Sequence, residues 1–119
     1  MTVEQFYLSV GGNYQEALSR MMNDAFIKRM LTKFLEKNSY QAVVDAYHEK
    51  NPEKVFEMAH SLKGVSGNLS LTSLFDLSSK ITEEVRGKKV GDPFNIEKDM
   101  EDLQNLYQKI ISELQILLA

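Results

Sequence analysis

With 119 residues, 43% of them apolar and 26% charged, and a net charge of −3, the chain has the make-up of one ordinary globular domain, long enough to bury roughly two-thirds of its unfolded surface. The absence of cysteine excludes disulfides, thiolate catalysis and cysteine metal sites. Mild acidity argues against nucleic acid and anionic membrane as partners, and the longest apolar run, Ile116 to Ala119, is far short of the roughly 20 residues of a membrane span.

Helical spacing governs nearly every segment. Residues 1–20 lack the basic start and apolar middle of a signal peptide, so a cytoplasmic chain is expected. Residues 3–9 predict a short leading helix. Asn13 with Glu16 reads as a capping box opening a second one, because each side chain can satisfy a free backbone N–H. Asn23 caps a third helix, whose Ile27, Met30, Leu31, Phe34 and Leu35 form a one-sided stripe. Ser39 opens another, with Tyr40, Val43, Val44 and Tyr47 on one side.

Asn51-Pro52 is a strong start signal: asparagine caps, and proline takes the first helical position, where its missing N–H is no loss. This helix carries Val55, Ala59, Leu62, Val65 and Leu69 and should end near Asn68 to Leu71. Ser70 or Thr72 then caps a helix bearing Leu74, Leu77, Ile81 and Val85. Gly87 to Pro93 forms the clearest loop. The last helix runs from Phe94 or Asn95 to near the C-terminus. Its Ile96, Met100, Leu103, Tyr107, Ile110, Leu114 and Leu117 make a heptad seam. The expected fold is all-α: an antiparallel up-down four-helix bundle with short additional N-terminal helices, residues 1–119 forming a single domain.

Ala59 to Ser70, AHSLKGVSGNLS, places two glycines near one of the chain's two histidines. At about 100° per residue from Val55, the residues Met58, Ala59, Leu62, Val65 and Leu69 cluster on one side, within about 80°. His60 falls near about 140°, Gly67 near about 120°, Gly64 near about 180° and Lys63 near about 80°. The imidazole therefore faces solvent, and both glycines share its stripe, leaving a bare shelf that a partner's backbone can approach. Taken alone, an exposed histidine is most often idle, and Gly67 lies close enough to the helix end to mark its termination. Gly64, outward-facing in mid-helix, costs roughly 0.5–1 kcal/mol relative to alanine and is not explained that way.

Ala59-His60-Ser61-Leu62-Lys63-Gly64, followed by Ser66, Gly67, Asn68 and Leu69, resembles the signature of the histidine-containing phosphotransfer (HPt) domain. The likeness extends over most of residues 8–88. It implies an up-down helical bundle that carries a phosphoryl group between receiver domains. It also implies that His60 is the phosphorylated residue, Lys63 steadies the phosphoryl oxygens, and Gly64 allows close approach. Gly67, Ser61, Thr82 and Arg86 are the further candidates for the binding face. Free imidazole titrates near pH 6.5 in model compounds, so the nucleophilic lone pair is abundant at neutral pH. A cation beside the transferred group offsets its negative charge.

The sequence departs from the family pattern at two positions. Ser70 stands where the family usually has glycine, and Thr82 where many members have a glutamine that hydrogen-bonds the histidine. Arg86 lies one turn beyond Thr82.

Partners implied by the resemblance are a response-regulator receiver and a hybrid histidine kinase. The chain itself carries no cofactor and no metal, and magnesium is expected on the receiver. It has no Gly-rich phosphate loop, so a carrier is expected rather than an ATP-using enzyme. The alternatives are a helical interaction module without phosphotransfer, or the phosphoacceptor domain of a chemotaxis-type kinase. The start at Met1 and the last helix favour a free-standing protein, and a seam filled within the bundle favours a monomer. His48, at a helix end where a cation is favoured, is given no function. Lys28, Arg29, Lys33 and Lys37 read as a solvated face, as do Glu53, Glu57, Glu83 and Glu84. Met58 is a candidate for the border of the docking surface.

Overall fold

The computed structural model describes all of residues 1–119, with seven helices and no strand. These are α1 (Val3–Ser9), α2 (Tyr14–Met21), α3 (Asp24–Lys37), α4 (Ser39–His48), α5 (Pro52–Asn68), α6 (Thr72–Val85) and α7 (Glu97–Leu117). Asparagine opens four of them in succession. The side-chain oxygens of Asn13, Asn23, Asn38 and Asn51 each accept from the backbone N–H three residues on, which satisfies a donor the helix itself leaves free. Pro52 occupies the first position of α5, as expected. Thr2 and Gln5 form a reciprocal capping box on α1.

Several boundaries differ from the sequence reading. Asn13 caps α2, but only half of the predicted box forms. The Glu16 carboxylate instead pairs with Arg20 at 3.2 Å and accepts the Ser70 hydroxyl at 2.9 Å. Asn38, rather than Ser39, caps α4. It sits in the left-handed region (φ 49°) and also ends α3, so one residue bends one rod into the next. Neither Ser70 nor Thr72 caps α6. Its N-cap is Leu71, which has no capping side chain. Ser70 is buried with φ 56°, the conformation glycine adopts most readily, and its hydroxyl is taken by Glu16. The glycine expected from the resemblance thus has a backbone reason, and the serine is retained by a hydrogen bond. The last helix starts at Glu97, because the Asn95 side chain accepts the Glu97 N–H at 3.1 Å and turns the chain there.

The legs of the bundle are the bent α3–α4 rod, α5, α6 and α7. Chain neighbours pack successively: α4 on α5, α5 on α6, and α6 on α7. Tyr107 of α7 closes the circuit, stacking on Tyr40, tilting against Phe34 and donating its hydroxyl to Asn38 at 3.1 Å. Every member of the predicted heptad seam, Ile96 to Leu117, is buried in the common core with Ile27, Leu31, Val55, Leu62, Leu74 and Ile81. The molecule measures 46 × 24 × 20 Å. No helix is long and apolar enough to cross a membrane.

α1 and α2 are fastened to the turn between α5 and α6. Tyr7 donates its hydroxyl to the Leu69 carbonyl at 2.7 Å, and burial pushes its phenol above the usual range. Asn13 N–H reaches the Ser70 carbonyl at 2.9 Å, Ser73 donates from both N–H and hydroxyl to the Gly11 carbonyl, and Arg20 reaches the Gly67 carbonyl at 2.8 Å. Gly12 is required by this approach: a Cβ there would lie 2.7 Å from the Tyr7 ring and 3.0 Å from the Ser70 oxygen.

Candidate functional site

Helix α5 is anchored along one side by Val55, Ala59, Leu62 and Ser66, all buried. On the other side His60, Ser61 and Gly64 are exposed, as the helical arithmetic predicts. A Cβ on Gly64 would meet nothing within 4 Å, so the backbone one turn from His60 is bare. Lys63 is half-buried and borders this shelf, its ammonium 5.6 Å from the centre of the Phe75 ring.

Arg86 follows the last turn of α6. Its guanidinium lies 5.0 Å from the centre of the Phe56 ring and makes a two-pronged bond to Glu83, at 2.7 and 3.0 Å. The Arg86 hydrogen bonds hold the Glu83 carboxyl below its usual range, with Lys63 adding a smaller share. Lys63, Glu83 and Arg86 therefore form one electrostatic neighbourhood contributed by α5 and α6. Phe56 joins it to the histidine. The Phe56 and His60 rings are parallel to within 1°, with centroids 6.1 Å apart. Sequence reasoning passed over Phe56 and Phe75. The first had a signal, an aromatic residue four positions before the histidine, hence on the same helical face. The second lies on another helix, and nothing local pointed to it.

Two candidates of the binding face stand differently from the sequence reading. Thr82 is not on the surface: it is 0% exposed and its hydroxyl donates to the Ser78 carbonyl at 2.7 Å, one turn back. A short hydroxyl in a buried helix bonds its own backbone when no other acceptor is near. Gly67 is not part of the bare shelf. It is half-buried, and a Cβ would lie 3.1 and 3.3 Å from Phe75 carbons. The single-stripe picture misplaced it because α6 folds back within three residues and lays Phe75 over the end of α5.

Residues 22–115 match a family model described as the Hpt domain. The chain belongs to the Hpt domain family. Hpt domains are phosphocarriers that act by histidine phosphotransfer in two-component signalling, interacting with receiver domains and histidine kinases in phosphorelays. No curated protein and no solved structure matches the chain significantly. Within this Hpt domain the two histidines differ sharply in setting. His60 lies inside the motif on α5, with Gly64 bare one turn away. His48 ends α4, its ring edge-on to Tyr47. No group of three or more His, Asp or Glu side chains is arranged to hold a metal ion.

Proposed function

We propose that His60 accepts a phosphoryl group from the aspartyl phosphate of a receiver domain and passes it to the aspartate of another receiver. The observation that carries this reading is the outward imidazole of His60 beside the bare backbone of Gly64. An imidazole nitrogen lone pair attacks phosphorus, an N–P bond forms, and the P–O bond to aspartate breaks, its electron pair leaving with the carboxylate. The onward step reverses this on a second carboxylate. The transferred group carries charge on three equatorial oxygens. Lys63 and Arg86 are the cations of this chain that flank the site, and Gly64 admits the receiver's backbone. Ser61, exposed beside His60, belongs to the docking face. Magnesium is supplied by the receiver, and the chain acts as a carrier with no ATP chemistry of its own.

In this proposal residues 1–119 work as one cytoplasmic domain and as a monomer. The buried α7 seam supports the monomer, and the fastening of α1 and α2 onto the α5–α6 turn supports the single domain. A receiver carrying labelled aspartyl phosphate should label the wild type and leave His60→Gln unlabelled, the product being acid-labile and alkali-stable. Equal labelling of the variant would exclude His60. Receiver binding without transfer even in the wild type would identify an interaction module instead.

A further inference from the structure

We infer that Phe56 is a positioning residue that fixes the plane of the His60 imidazole for phosphoryl transfer, an inference that rests on His60 being the phosphoacceptor. The His60 side chain makes no hydrogen bond within the protein, and the hydroxyl of Thr82, which stands where many family members have a glutamine that bonds the histidine, is spent on Ser78. An exposed imidazole without a partner ordinarily samples several rotamers. Here one ring lies parallel to it, that of Phe56, within the centroid range at which offset aromatic stacking is favourable.

Phe56 is itself held. It is half-buried against the core, Arg86 covers its ring, and Glu83 grips Arg86 with two hydrogen bonds. A chain of contacts thus runs from the last turn of α6, through Glu83, Arg86 and Phe56, to the imidazole on α5. A ring lying against a fixed plate keeps its nitrogen edges free while losing the freedom to swing toward that plate. Orientation of a nucleophile before attack is a rate effect, so the contribution belongs to the maximal transfer rate rather than to receiver affinity.

The test compares wild type with Phe56→Leu, which keeps an apolar group of similar bulk, and Phe56→Tyr, which keeps the ring. The His60 ring-proton NMR shifts are measured in each variant and in urea-unfolded wild type, and the transfer rate from a phosphorylated receiver is measured over a range of receiver concentrations. Expected are a ring-current displacement of the His60 protons in wild type and Phe56→Tyr, absent from Phe56→Leu. The maximal rate should fall about 3- to 10-fold in Phe56→Leu and recover in Phe56→Tyr, with half-saturation within about twofold throughout. An undiminished rate in Phe56→Leu overturns the inference, and so does a His60 shift identical in wild type and Phe56→Leu. If Phe56→Leu fails to fold, the native-minus-unfolded shift of wild type decides alone, a null difference being the overturning result. Failure of wild type to accept any phosphoryl group would instead overturn the His60 reading, while the ring shifts, which need no donor, still decide whether Phe56 holds the imidazole.

Discussion

Gly64 and Gly67 stand one turn apart on the same helix, yet their surroundings are opposite. Gly64 faces open space, whereas Gly67 lies under Phe75. Gly64→Ala should therefore stabilise the fold by about 0.5–1 kcal/mol, the ordinary gain of alanine over glycine in a helix. Gly64→Leu should leave the fold intact and slow phosphotransfer at least about tenfold by obstructing the receiver's approach. Gly67→Leu should lower stability by about 1–3 kcal/mol, because the added atoms must displace the Phe75 ring. Urea denaturation and transfer kinetics on the three variants check this. Wild-type transfer in Gly64→Leu would remove the close-approach argument. At this scale the histidine and Gly64 were legible, because an amphipathic helix with a clear apolar stripe dictates which residues face outward. Gly67 was not, since its neighbour belongs to another helix.

At the scale of elements, the caps of Asn13, Asn23 and Asn51 were readable because each side chain bonds only three residues ahead, whereas Asn38 was passed over because it also ends α3 in the left-handed region. Ser70 and Glu16 defeated that reading because they bond each other across 54 positions. The α6–α7 contact has the same character. Asp99 is buried in the first turn of α7 and pairs with Lys80 at 3.1 Å. Burial pushes the Asp99 carboxyl up, but hydrogen bonds from Glu84 and Lys80 outweigh it and bring it below the usual range. Glu84 is raised, chiefly by sharing a hydrogen bond with Asp99. A raised carboxyl favours the folded state once protonated, so Glu84 contributes stability in acid that is lost as pH rises through its folded-state pKa. Glu84→Gln keeps a donor to Asp99 without the like charge. Its urea midpoint at pH 7 should exceed that of wild type, and the advantage should shrink as pH falls toward about 4, the ordinary range of glutamate. A midpoint difference independent of pH would contradict this coupling.

For the whole molecule, the bundle was foreseeable because each helix wrote its own apolar stripe, and α7 its full seam, into the chain. The fastening of the N-terminal helices was not. Tyr7, Asn13, Glu16 and Arg20 meet backbone or side chains of residues 67–70, contacts set by topology rather than local pattern. Their effect is to brace the turn that follows the His60 helix. The family match covers residues 22–115, so α1 and α2 lie outside it, yet they close on that turn. In the proposed function this framework serves to present one imidazole, that of His60. The most direct measurement is to map the phosphoryl group by tandem mass spectrometry on the chain phosphorylated by a receiver and kept above neutral pH. The account predicts modification at His60, with His48 and the carboxylates unmodified; phosphate on His48 or on a carboxylate, with His60 bare, would contradict it.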